Sequence, residues 1–287
     1  MKEKPSPHPK HKATTNSIPS FRSLEFHEIF NRTGKLVSNT TNDIVSKHGS
    51  IIPTNTAPPP FNYLWTTQWG KQNTTAWKLI YGDVSCPVNP KRKTFIAILK
   101  KWIEVAEKNN IRYAFVFGSL LGIVRNNDVL PWDHDMDIWI EYKDILKLEK
   151  LAGWPRNIHT WDGKTYINAI PRSEHNKSAD DRIRWDCQGK VAATHVDQCA
   201  IQEPFVRLYN NAAFLDVFEY YAIKDTLEMV SEGHRTVIQQ KDYFPLRRCI
   251  FMGFDGWCPN NPKTVLTYWY GKDYMTSVKM CKNGHWV

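Results

Sequence analysis

The stretch "GSLLGIVRNNDVLPWDHDMDIWIEY", residues 118 to 142, sets three aspartates at alternate positions inside an otherwise apolar run. Alternation predicts that Asp133, Asp135 and Asp137 project from one face of a strand, with i and i+2 about 6.5 Å apart. Met136, Ile138 and Ile140 then take the other face, and Ile138, Trp139 and Ile140 continue as a buried strand. Three neighbouring carboxylates repel one another, and partial burial raises that cost unless protons or cations compensate. A divalent cation would do so. An EF-hand loop also begins D-x-D-x-D, but Ile138 stands where that loop needs Gly and Asp144 where it needs its bidentate acid.

Upstream, "KTFIAILKKWIEVAEKNN" repeats apolar residues at Phe95, Leu99, Trp102, Ile103 and Ala106, which predicts a helix over 94–108 stopped by the Asn pair. "IRYAFVF" reads as a buried strand, Gly118-Ser119 as its sharp exit, and "LLGIVR" as a short helix pointing its N-terminus back at the aspartates. Such an end attracts phosphate through its open amides and dipole, with the Ser119 hydroxyl as a further ligand. Arg125, two helical turns on, is placed either to contact a phosphate or to hold an aspartate. Further along, "EPFVRLYNNAAFLDVFEYY" reads as a hairpin turning at Asn210-Asn211, with Asp216 interrupting its apolar second strand.

The chain has 287 residues, 41% hydrophobic and 13% aromatic, enough for a sizeable core. A net charge of +9 suggests an anionic partner without choosing its class. No run of about 18 apolar residues occurs, and the opening "MKEKPSPHPKHKATT" lacks an apolar h-region, so the chain reads as soluble. Residues 1–60 hold eight Lys or Arg against four Asp or Glu and neither Trp nor Tyr. That composition predicts a disordered stem or tail, with one folded domain over 61–287 and no internal repeat. The six cysteines allow disulfides, and Cys187 and Cys199 around His195 also admit a structural Zn²⁺ loop. Sequons at Asn31, Asn39, Asn73 and Asn176 favour the secretory pathway, in the Golgi or ER lumen.

"YAFVFGSLLGIVRNNDVLPWDHDMDIWIE" closely resembles the signature of the LicD/fukutin family of nucleotidyltransferase-fold phosphotransferases. "AFLDVFEYY" resembles its second acidic strand and "PLRRCIFMGFDGWCPNNPKTVLTYWYGKDYM" its C-terminal block, so the likeness runs over about 85 to 280. The resemblance implies an α/β (α+β) architecture: a nucleotidyltransferase-like mixed sheet flanked by helices. It also implies metal carboxylates at Asp135 and Asp137, with Asp133 as an outer or alternate ligand. Asp216 completes the shell or takes a proton, and Gly118, Ser119 and Arg125 serve the donor phosphate. The implied reaction is transfer of a phospho-alcohol such as ribitol phosphate or phosphocholine from a CDP-linked donor to a glycan or glycoprotein hydroxyl, assisted by Mg²⁺ or Mn²⁺. No nucleic acid partner is expected, and peripheral membrane association is compatible. The alternatives are a metal-dependent nucleotide-sugar glycosyltransferase and a non-catalytic glycan-binding relative.

Overall fold

The apolar repeat around Trp102 does form a helix. In the computed structural model, which describes residues 74–153, 158–160, 162–211, 213–231 and 234–287, it runs from Arg92 to Lys108 and buries Phe95, Ile98, Leu99, Trp102, Val105 and Ala106. An earlier helix, α1 (Thr74–Tyr81), makes this one α2. The stem or tail expected over 1–60 lies outside the described residues, as do the sequons at Asn31, Asn39 and Asn73; Asn176 is exposed.

After α2 the chain enters β1 (Tyr113–Phe115) and turns at once into α3 (Phe117–Asn126). The sharp residue of this turn is Phe117, at φ 43°, and not Gly118-Ser119, which lie in the first turn of α3. A bulky residue in the left-handed region is held there by its surroundings. The Phe117 ring packs on Trp269 and Phe218, with centroids 4.4 and 5.6 Å away.

β2 (Asp135–Glu141) returns antiparallel to β1. Met136, Ile138, Trp139 and Ile140 are all fully buried, each worth about 1.5–3 kcal/mol of transfer free energy or, for Trp139, somewhat more. α4 (Tyr142–Ala152) follows, then β3 (Ile158–Thr160), β4 (Tyr166–Ala169) and the short hairpin of β5 (Arg184–Trp185) and β6 (Val191–Ala192). The expected Asn210-Asn211 turn joins β7 (Val206–Asn210) to β8 (Ala213–Ile223), with Asn211 at φ 52°.

β8 is the hub of the sheet. It pairs parallel with β2 and antiparallel with β7, and its far end pairs with β9 (Thr226–Ser231), which pairs with β10 (His234–Gln239). The order β1-β2-β8-β7-β4-β3 with β9 and β10 appended makes a mixed sheet. α2 packs on β7 and β8, and α4 on β2, β4 and β8. The result is the α/β mixed sheet flanked by helices that the sequence indicates.

A short α5 (Gln240–Tyr243) leads to the hairpin of β11 (Arg247–Phe251) and β12 (Phe254–Cys258). α6 (Pro262–Tyr270) follows, capped by Asn261, whose side chain accepts the Thr264 N–H. The chain closes with β13 (Cys281–Lys282) and β14 (His285–Trp286). Trp77, Ile80 and Tyr81 of α1 bury against Trp132, Met275 and Trp286. Disulfides join Cys86 to Cys281, Cys187 to Cys199 and Cys249 to Cys258, which leaves no free cysteine. Among the described residues no helix is long and apolar enough to cross a membrane.

Candidate active site

Register builds the site. Parallel pairing of β2 with β8 sets Asp137 directly beside Asp216, and antiparallel pairing of β8 with β7 sets Asp216 directly beside Arg207. Two acids and a base thus form a row across three strands. Asp135, two residues before Asp137, shares its face. One oxygen from each of Asp135, Asp137 and Asp216 falls within 4.8 Å of the others.

Asp133 does not belong to that trio. The sequence places it on the strand, but β2 begins only at Asp135. The approach is a turn after Pro131, closed by the Asp133 N–H donating to Leu130 O at 3.1 Å. Asn89, buried just before α2, stitches this turn through Nδ2, which donates to Leu130 O and Asp133 O at 2.9 Å each. Asp133 therefore stands beside the trio as an outer carboxylate.

The electrostatics show an acid cluster short of positive charge. Burial first, and then the neighbouring Asp135, push the Asp133 carboxyl up to about 8. Asp137 is pushed well above the usual carboxylate range by burial, then by Asp135, Asp216 and Asp133, with Arg207 pulling the other way. Without a cation, protons must supply the missing charge. Three carboxylate oxygens in a partly buried cluster are the ligand chemistry of a hard divalent ion, so the residues present fit Mg²⁺ or Mn²⁺.

The floor of the site is the β1–α3 junction. A Cβ on Gly118 would lie 2.9 Å from Asp133 Oδ2, which would have to shift, and at an ordinary contact distance of 3.8 Å from Asp137 Oδ2, so glycine lets the helix start lie this close to Asp133. The Leu120 N–H makes the first intrahelical bond, to Val116 O at 3.0 Å. The amides of Gly118 and Ser119 thus belong to the open N-terminal turn of a helix directed at the acids. Ser119 is buried, and its Oγ accepts the Asp137 N–H at 2.8 Å. Its hydroxyl therefore shapes the acid strand itself.

Arg125 is buried at the far end of α3. Its Nη2 donates to Tyr274 O at 2.5 Å and Thr276 O at 2.8 Å, pinning the segment between α6 and β13 to α3. Its charge also favours ionised Asp133. The contacts of Nη2 are thus to the C-terminal segment, and neither expected role, phosphate contact or holding an aspartate, is decided by them. Tyr270, at the end of α6, is pushed up by burial and then by Asp137 and Asp133.

Arg207 was not singled out by the sequence. Its Nε donates to Asp216 Oδ1 at 2.6 Å and its Nη2 to Asp216 Oδ2 at 2.7 Å, while its guanidinium carbon lies 4.6 Å from the centre of the Phe214 ring. The hairpin turn was the available signal: three positions back from the Asn210–Ala213 pair, Arg207 must face Asp216. The loop considered for zinc takes its other form. Cys187 and Cys199 are bonded to each other, so near Asp197 they present a disulfide and not thiolates.

A family model described as LicD/FKTN/FKRP, nucleotidyltransferase domain, matches residues 110–261. That is more than half of the chain, and the chain belongs to this family. Within it, the chain is 27% identical over 179 residues to the ribitol 5-phosphate transferase FKRP of Mus musculus, covering 59% of this chain and 29% of that protein. It is 25% identical over 218 residues to the Homo sapiens protein of the same name, covering 70% and 37%. A shorter match, 36% over 61 residues, links it to the uncharacterized protein RP689 of Rickettsia prowazekii (strain Madrid E), covering 21% of this chain and 23% of that one. The matched segments span about a third of the length of the two FKRP proteins.

Proposed function

We propose that this chain transfers a phospho-alcohol from a CDP-linked donor to a hydroxyl of a glycan or glycoprotein. The observation that carries this reading is the register row of Asp137 and Asp216, with Asp135 beside them and the open end of α3 beneath, in a member of a family whose relatives include enzymes named ribitol 5-phosphate transferases. Asp135, Asp137 and Asp216 would hold Mg²⁺ or Mn²⁺, with Asp133 as the outer carboxylate. When bound, the cation neutralises phosphate charge and orients the donor for in-line attack.

The chain's own residues do the rest. The Gly118 and Ser119 amides favour an anionic oxygen at the mouth of α3, while the absent side chain at Gly118 lets Asp133 stand close to that mouth. Ser119 and the β1 junction hold Asp137 in place. Both Asp216 oxygens already accept from Arg207, which favours ligation over uptake of the acceptor proton. Three disulfides support an oxidising compartment, and we infer the secretory lumen.

The test offers CDP-ribitol, CDP-glycerol, CDP-choline and UDP-sugars to the protein with Mn²⁺ and a mixed glycan acceptor, and identifies the products by mass. Release of CMP with gain of a phospho-alcohol on the acceptor is expected from one CDP donor. Turnover of UDP-sugars alone would establish the glycosyltransferase alternative. Binding of glycan without turnover of any donor would establish the non-catalytic relative.

A further inference from the structure

The row across the sheet ends in a positive charge, Arg207. Arg207 and Asp216 are direct cross-strand partners on β7 and β8, and both side chains are largely buried, 12% and 6% exposed. The guanidinium reaches both Asp216 oxygens at once, with bonds of 2.6 and 2.7 Å, and it lies over the ring of Phe214, which faces Asp135 across β2 and β8. A fork of this kind fixes the plane of a carboxylate as well as its position. Each oxygen has a second lone pair in that plane, so the fork determines which way Asp216 can ligate.

We propose that Arg207 is a positioning residue for the cation site: its fork holds Asp216 in the orientation that completes the trio with Asp135 and Asp137. This rests on the reading that the trio holds a divalent cation. Without the fork, Asp216 can rotate away from Asp137, and the repulsion between those two acids favours that rotation. The positive charge of Arg207 opposes cation binding, so any affinity it adds for the cation must come through geometry. Partners of ligating carboxylates that act in this way typically change metal affinity by about 10–100-fold when removed.

Arg207→Lys separates geometry from charge, because lysine keeps the charge but cannot form the two-point fork. Mn²⁺ binding to the full chain is read by electron paramagnetic resonance, and the melting temperature in EDTA reports the fold. Wild-type protein is expected to bind Mn²⁺, and R207K to bind it at least about tenfold more weakly while still melting cooperatively in EDTA. Phe214→Leu, which removes the ring beneath the guanidinium and leaves both charges, is expected to weaken Mn²⁺ in the same direction and decides the matter if R207K fails to fold. Turnover gives a second readout: excess Mn²⁺ should restore the R207K rate with the donor KM near the wild-type value.

Wild-type Mn²⁺ affinity in the folded variants would overturn the positioning role and leave the cation site standing. A donor KM that stays high at saturating Mn²⁺ would likewise overturn it, assigning Arg207 to the donor. Failure of the wild-type protein to bind Mn²⁺ would overturn the cation reading and this inference together.

Discussion

The backbone of Asp137 is pinned from both of its polar atoms by the junction that ends at Ser119. Its N–H donates to Ser119 Oγ at 2.8 Å, and its C=O accepts the Val116 N–H at 3.1 Å. The acid at the centre of the site is therefore placed by the chain that forms its floor, which couples the position of Asp137 to the start of α3.

Removing that hydroxyl should loosen this coupling. Ser119→Ala leaves the Asp137 N–H without its acceptor in a buried setting, and a loss of about 1–3 kcal/mol is expected. Denaturant unfolding in chelator measures it. An unchanged midpoint would show that the N–H finds another acceptor.

Gly118→Ala tests the close approach. The new Cβ would lie 2.9 Å from Asp133 Oδ2, nearer than carbon and oxygen tolerate without bonding. Asp133 must shift, while Asp137 Oδ2 at 3.8 Å stays in ordinary contact, and with the outer carboxylate displaced we expect Mn²⁺ affinity and turnover to fall together by about tenfold. Full activity in this variant would mean that the carboxylates do not work at the positions seen here.

Much of this arrangement is readable from local pattern. The α2 repeat, the Asn210-Asn211 turn and the apolar alternation after Met136 each depend on neighbours in the chain, and each appears where expected. Asp133 differs because Asn89, far back in the sequence, holds its turn off the strand through two carbonyls. The parallel pairing of Asp137 with Asp216 is also non-local, and no short pattern specifies which two strands become neighbours. Arg207 follows from the hairpin register once Asp216 is chosen, but its fork depends on side-chain geometry that spacing does not encode. The cysteine pairing is likewise set by the fold: Cys86 and Cys281 lie 195 residues apart, yet their Cα atoms are 5.7 Å apart.

A second buried acid gives the protein a pH signature independent of the site. Glu219 on β8 is pushed up to about 8, chiefly by burial and secondarily by Glu203, with Arg182 opposing. The folded state thus holds a proton that the unfolded chain releases at the ordinary carboxylate value. The stability this contributes is complete below that value and is lost as pH rises through the interval up to about 8. Glu219→Gln should remove this loss, so the stability of the variant relative to wild type should grow across that interval by at most about 1.4 kcal/mol per pH unit. Paired denaturant melts at fixed chelator measure the difference. A constant offset at every pH would show that Glu219 is ionised in the folded protein.

On this account Asp135, Asp137 and Asp216 form a cation site whose acids repel one another when no cation is bound, with Asp137 held well above the usual carboxylate range. Thermal melting of wild type and Asp137→Asn, each in EDTA and in Mn²⁺, tests it most directly. Wild type should gain stability with Mn²⁺, by about 2.7 kcal/mol at a hundredfold excess over Kd. Asp137→Asn relieves the repulsion and gives up an anionic ligand, so it should melt at or above wild type in EDTA and gain little or nothing from Mn²⁺. An equal Mn²⁺ gain in both proteins, or none in either, would contradict the assignment.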